Sequence, residues 1–144
     1  MDTAGLNKAL GEAQGLLRGF ESGAATPGAM HRFYEGLDRL DGFRKDSRFM
    51  RYSDRIMELR RAFARGLLRQ LNVISAEDMY LASMCLVLMK NEITDITSAE
   101  PAMAQRCAEF RQGARTNPQT KVLLALMAQR GQGASSLRAV VGGE

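Results

Sequence analysis

Between residues 49 and 71 the apolar side chains recur in one order. Phe49, Tyr52, Ile56, Leu59, Phe63, Leu67 and Leu71 are separated by three or four positions. That spacing is the period of an α-helix, in which such residues share one face. A half-buried strand would instead alternate by two. The run predicts an amphipathic helix over residues 47–71. A helix with so long an apolar stripe must cover it against other elements.

The rest of the chain reads the same way. Leu, Ala, Arg, Met, Glu and Gln dominate; aromatic residues are 6% and Trp is absent. These are helix-favouring residues, and strand signals are weak. A first helix over residues 3–20 carries Leu6, Leu10, Ala13, Leu17 and Phe20 on one face. Gly11, Gly15 and Gly19 lie on a neighbouring face, where another helix could approach closely. They also cost about 1 kcal/mol each against Ala in a helix interior. A small-residue linker, 23–28, precedes a second helix with Met30, Phe33, Leu37 and Leu40, which Asp41 and Gly42 are expected to end.

Ser75 opens a fourth helix. Its side chain is placed to accept from the backbone N–H of Asp78, with Glu77 and Asp78 adding negative charge to the first turn. The body, 79–89, is apolar nearly all round and is expected to run on through Ile93 and Ile96 as the buried centre of the domain. A fifth helix has Pro101 in its first turn and Met103, Cys107 and Phe110 on its seam. A sixth is marked by Asn117 as cap, Pro118 at its first position, Val122, Leu123, Leu126 and Met127 as apolar residues, and Gly131 as stop. The expected fold is all-α: a compact bundle of five or six mostly antiparallel helices around a central apolar helix. Residues 1–130 form a single domain and residues 131–144 a flexible tail.

Several classes of chemistry lack their residues. The chain holds one histidine, His31, and two cysteines, Cys85 and Cys107, without paired short spacings, so no metal site is expected. Both cysteines fall in apolar helical patterns and read as buried free thiols. No phosphate-binding glycine loop and no nucleophile elbow is present. No cofactor is expected. His31 has Glu35 and Asp38 near it in sequence, but spacing alone does not make a catalytic group of them. No 18-residue stretch is free of charge, which argues against a membrane span. The first residues lack the basic-then-apolar order of an export signal, and a cytoplasmic location is expected.

Two features stand above this background. Residues 39–69 hold ten Lys or Arg against four acids, within a chain of net charge +4. Positions 44, 48, 51, 55, 58, 62, 65 and 69 follow spacings of four and three and hold Arg44, Arg48, Arg51, Arg55, Glu58, Ala62, Arg65 and Arg69, which would form one stripe beside the apolar seam. Arginine suits phosphate, so the stripe is a candidate surface for nucleic acid or an acidic partner. The alternative is a solvated face, with Asp54 pairing to Arg51 and Glu58 to Arg55 or Arg61 at helical spacing. The second feature is methionine, nine residues of 144. Met79, Met84 and Met89 lie on the most apolar helix and form a candidate hydrophobic partner surface, or else fill the core.

These readings lead to a non-enzymatic helical protein–protein interaction module: an adaptor, regulator or assembly subunit, possibly a homodimer. The alternative is a helical nucleic-acid-binding protein of packaging or regulatory type, using the arginine stripe. An enzyme would need a deep polar pocket around His31, Glu35 or Glu92.

Overall fold

The computed structural model describes residues 3–118 and 120–122. Among them every regular element is helical. The α-helices are α1 (Thr3–Gly23), α2 (Ala29–Lys45), α3 (Ser53–Gln70), α4 (Met79–Leu88), α5 (Lys90–Ala99) and α6 (Pro101–Thr116). Three short 3-10 turns, Ser47–Tyr52, Leu71–Val73 and Ala76–Asp78, sit between them. A further helical turn begins at Pro118. The expected Gly131 stop, the apolar residues Leu123, Leu126 and Met127, and the 131–144 tail lie outside the described residues.

The seams hold α1, α2 and α3 together. Leu6, Leu10, Ala13, Leu17 and Phe20 are all buried, as are Met30, Phe33, Leu37 and Leu40. Phe20, Phe33 and Phe63 bring one ring from each helix into a stack, with centroids 4.6 and 5.0 Å apart. Tilted pairs at these separations suit the ring quadrupoles. α3 touches α1, α2, α5 and α6, and so occupies the position expected for the fourth helix.

That fourth helix differs from expectation. α4 stops after Leu88; the backbone turns at Met89 (φ −107°, ψ 29°), and α5 is a separate helix. α4 buries Ala82, Ser83, Cys85 and Leu86, while Met79, Leu81, Met84 and Val87 are half-buried and Leu88 is exposed. Apolar composition on every side does not make this helix central. It is too short to reach cover on all sides, and it packs mainly on α2, α5 and α6.

Two boundaries also move. Asp41 and Gly42 do not end α2, which runs on to Lys45. Asp41 holds Arg44 and Lys45 at 2.9 and 3.1 Å, so ion pairs along the last turn offset the glycine. The predicted helix over residues 47–71 is instead a 3-10 turn followed by α3, with non-helical backbone at Phe49 and Tyr52. The Asp46 carboxylate accepts from the Arg48 backbone N–H at 3.0 Å, and Phe49 packs edge-on against Phe43. These contacts turn the chain while keeping Phe49 in the core. At Ser75 the backbone carbonyl, not the side chain, accepts from Asp78 N–H, and the hydroxyl donates to the Asp78 carboxylate. Asn117 caps as expected: its Oδ1 accepts from Thr120 N–H at 3.0 Å. Val122 is exposed rather than core-facing.

Among the described residues no helix approaches the glycine stripe on α1. A Cβ at Gly11, Gly15 or Gly19 would meet nothing within 4 Å. Close approach occurs at Gly36 of α2, where a Cβ would lie 2.9 Å from Phe63 Cζ and 3.0 Å from its Cε2. Phe63 is fully buried in the ring stack and has no room to yield. We therefore expect opposite effects in urea denaturation. Gly15→Ala and Gly19→Ala should each stabilise by about 1 kcal/mol through helix propensity. Gly36→Ala should destabilise by about 1 kcal/mol or more through overpacking.

Candidate interaction surface

Arg60 occupies an apolar position. It stands four residues after Ile56 and three before Phe63, on the buried face of α3, and its side chain is 4% exposed. A buried guanidinium must find partners for its donors. Nε donates to Glu92 of α5 at 3.1 Å, and Nη1 donates to Asp41 of α2 at 2.8 Å. Nη2 donates to the backbone carbonyl of Leu88, at the last residue of α4. One side chain thus ties four helices and caps a helix C-terminus, where a cation is favoured. Sequence reasoning did not single out Arg60. The signal was available: an arginine at a seam position of a strongly periodic helix.

Beside this hub lies a cleft of about 610 Å³ between α3 and the α4–α5 junction. Asp54, Met57, Glu58 and Arg61 of α3 form one wall. Val87, Leu88, Lys90, Asn91 and Asp95 form the other, with Glu92 and Arg60 at its base and Arg44 at one end. Met57 on one wall and Leu88 on the other are 38% and 39% exposed. Arg61 and Asp95 bridge the walls at 3.8 Å.

The arginine stripe does not survive as a set of free cations. Arg44 holds Asp41 at 2.9 Å, Arg48 holds Asp46 at 2.7 Å, Arg65 holds Glu100 at 2.6 Å, and Arg69 lies 4.0 Å from Glu21. Arg55 donates to Asn7 Oδ1 at 2.7 Å, and Arg51 lies over the Tyr52 ring. The turn at residues 47–52 also takes Arg44, Arg48 and Arg51 off the line of Arg55, Arg65 and Arg69. Neither Asp54 nor Glu58 forms an expected pair along α3: Arg55 turns to α1, and Arg61 to α5. The methionines do not form one surface. Met89 is fully buried at the α4–α5 turn, while Met79 and Met84 are half-buried. His31, Glu35 and Asp38 are exposed on α2, away from the cleft.

The electrostatics follow from these contacts. Burial pushes the Asp41 carboxyl up, but hydrogen bonds from Lys45 and Arg44 and the charges of Arg60 and Arg44 outweigh it and hold Asp41 below its ordinary value. Hydrogen bonds from the Arg48 side chain and backbone hold Asp46 at about 2. Both cysteines are free thiols. Burial pushes the Cys85 thiol up to about 12 and raises Cys107 as well, so neither is a thiolate at neutral pH. Among the described residues no group of His, Cys, Asp or Glu is arranged to hold a metal ion. Among them, too, no helix is long and apolar enough to cross a membrane.

With this geometry in hand, comparison with known proteins adds no relative: no protein-family model, curated protein or solved structure matches the chain.

Two expectations attach to the hub. Arg60→Met leaves the Glu92 carboxylate buried without its cation and should cost about 3–5 kcal/mol. Adding Glu92→Leu should recover most of that loss, because the stranded charge is gone. A double-mutant cycle in urea measures the coupling. The second concerns acid. Asp41 and Asp46 titrate lower when folded, so their stabilisation is complete above the unfolded aspartate value of about 3.9 and is lost as pH falls through the folded values. Denaturation between about pH 5 and pH 2 should show stability falling, with a shallower fall in Asp41→Asn.

Proposed function

We propose that this chain is a non-enzymatic helical protein–protein interaction module, an adaptor, regulator or assembly subunit, whose contact surface is the cleft between α3 and the α4–α5 junction. In this reading the bundle acts in the cytoplasm and does no chemistry of its own. One observation carries the reading: Met57 and Leu88 are held partly exposed across a cleft with charged walls. Apolar centres with polar rims are the usual anatomy of a protein contact. The cleft is a polar pocket that reaches Glu92, the setting an enzyme would need, but the residues lining it include no hydroxyl, thiol or imidazole. Its innermost carboxylate, Glu92, is engaged by Arg60.

The nucleic-acid reading draws support from Arg51 and Arg55, which are exposed and, among the described residues, contact no carboxylate. It is the weaker reading, because an acid beside each of Arg44, Arg48, Arg65 and Arg69 cancels the field that would attract phosphate.

One experiment separates the two. A photo-crosslinking side chain is placed at Leu88 in the cleft, at Arg55 on the arginine face, or at Glu35 on α2 as control. We expect a discrete protease-sensitive adduct from Leu88 and none from Glu35, lost when Met57→Glu is added. A nuclease-sensitive adduct from Arg55 would put nucleic acid in its place. No adduct from Leu88 above the control would remove the cleft reading.

A further inference from the structure

We infer that the turn Ser47–Tyr52 docks on an anionic lipid surface, with Met50 entering the headgroup layer and the cations beside it holding lipid phosphates. This contact is separate from the cleft and does not depend on it. Met50 is 72% exposed, the most exposed large apolar side chain among the described residues. It is not among the residues lining the cleft. The residue before it points the other way: Phe49 is buried and packs edge-on against Phe43, with centroids 5.6 Å apart. The backbone between them is held on both sides. The Asp46 carboxylate accepts from the Arg48 N–H at 3.0 Å, and the Ser53 N–H donates to the Met50 carbonyl. Met50 therefore projects from a fixed turn.

The charge around Met50 identifies the surface. Residues 44–55 hold five cations against two acids, Asp46 and Asp54. Arg51 and Arg55 reach no carboxylate among the described residues. Lys45 pairs with Asp41 and Arg48 with Asp46, but the cations stand outermost. The Lys45 and Arg48 side chains are 68% and 66% exposed, those of Asp41 and Asp46 18% and 26%. Such pairs weaken the field at a distance; contact is decided by the heads that project. Asp54 and Glu58 offset part of the charge, and both line the cleft. A surface meeting the turn thus encounters Met50 among cationic heads, with the paired carboxylates recessed. An anionic bilayer answers both parts, with phosphates at its face and apolar depth behind them. Nucleic acid answers one. Its phosphates suit the cations, but its bases call for exposed aromatic rings. Here Phe49 is buried, and Tyr52 is half-buried beneath Arg51. One apolar side chain with a few cations gives a reversible contact, not a permanent anchor.

The test is co-sedimentation of the full chain with vesicles of phosphatidylcholine alone or of phosphatidylcholine with about 30% phosphatidylserine. We expect binding to the anionic vesicles, weakening as salt is raised, and none to phosphatidylcholine alone. A cation at such a surface is worth about fivefold in binding, so Arg51→Glu should weaken it by about tenfold or more. Met50→Glu should do the same, while Met50→Leu should keep binding. Arg18→Glu, on α1, changes the net charge as much as Arg51→Glu does and should leave most of the binding intact. These positions are exposed, so folding should hold, and far-UV circular dichroism checks it. No binding to anionic vesicles overturns the inference. So does binding indifferent to Met50→Glu, or an Arg18→Glu chain weakened as much as Arg51→Glu, because either reduces the contact to net charge. If the vesicles are not bound while a labelled RNA is, with loss on Arg51→Glu, the turn is a nucleic-acid surface and the lipid inference falls.

Discussion

The molecule depends on one buried cation. Arg60 sits where the α3 seam calls for an apolar residue, and its donors go to Asp41, Glu92 and the Leu88 carbonyl. A buried ion pair adds little net stability over a well-packed apolar substitute. Its value here is positional. Asp41 lies near the end of α2, Leu88 at the end of α4, and Glu92 in the first turn of α5. Satisfying all three at once fixes where α2 ends and where the α4–α5 line breaks. The aromatic stack of Phe20, Phe33 and Phe63 holds α1, α2 and α3 by area and shape alone. The arginine sets the register of α4 and α5, which have less apolar surface to lock them.

Much of this was legible in the sequence, and the reasons are residue by residue. The apolar faces of α1, α2 and α3 follow from three/four spacing, because that period leaves one solution for a helix that must bury a stripe. Asn117 and Pro101 act locally and were equally readable. The centre of the bundle was not. The 79–89 stretch is apolar on all sides, and such a pattern says how much cover a helix would accept without saying how much it gets. Coverage depends on length and neighbours, and α4 ends after ten residues. The continuation of α2 past Gly42 rests on Asp41, which pairs with Arg44 and Lys45 of the same last turn, a local signal outweighed in the sequence by the Asp-Gly break.

The arginines show where local pattern misleads. Spacing of three or four makes residues neighbours on a helix, and each such pair is worth only about 0.2–0.5 kcal/mol. An arginine side chain reaches further than one turn. Arg55 crosses to Asn7, Arg61 to Asp95, Arg65 to Glu100 and Arg69 towards Glu21. A stripe that looks like free positive charge along one helix is, in the fold, a set of local pairs at Arg44 and Arg48 and of contacts between helices at Arg55, Arg65 and Arg69. Which charges reach no opposite charge among the described residues, Arg51, Asp54, Glu58 and Lys90 included, is visible only once the other partners are known.

The same geometry that stabilises the bundle shapes the cleft. Leu88 and Met89 are consecutive, yet one is 39% exposed and the other fully buried. The turn at Met89 allows this, sending Met89 into the core while Leu88 is left at the wall of the cleft. Arg60 binds the Leu88 carbonyl from below, so the exposed side chain stands on a backbone held by a buried contact. Under the proposed reading such a surface is pre-organised: its apolar residue would not have to give up backbone freedom on contact. The break in α4–α5 is therefore more than an interruption of a helix. It holds an apolar side chain at the surface against the tendency that would otherwise bury it.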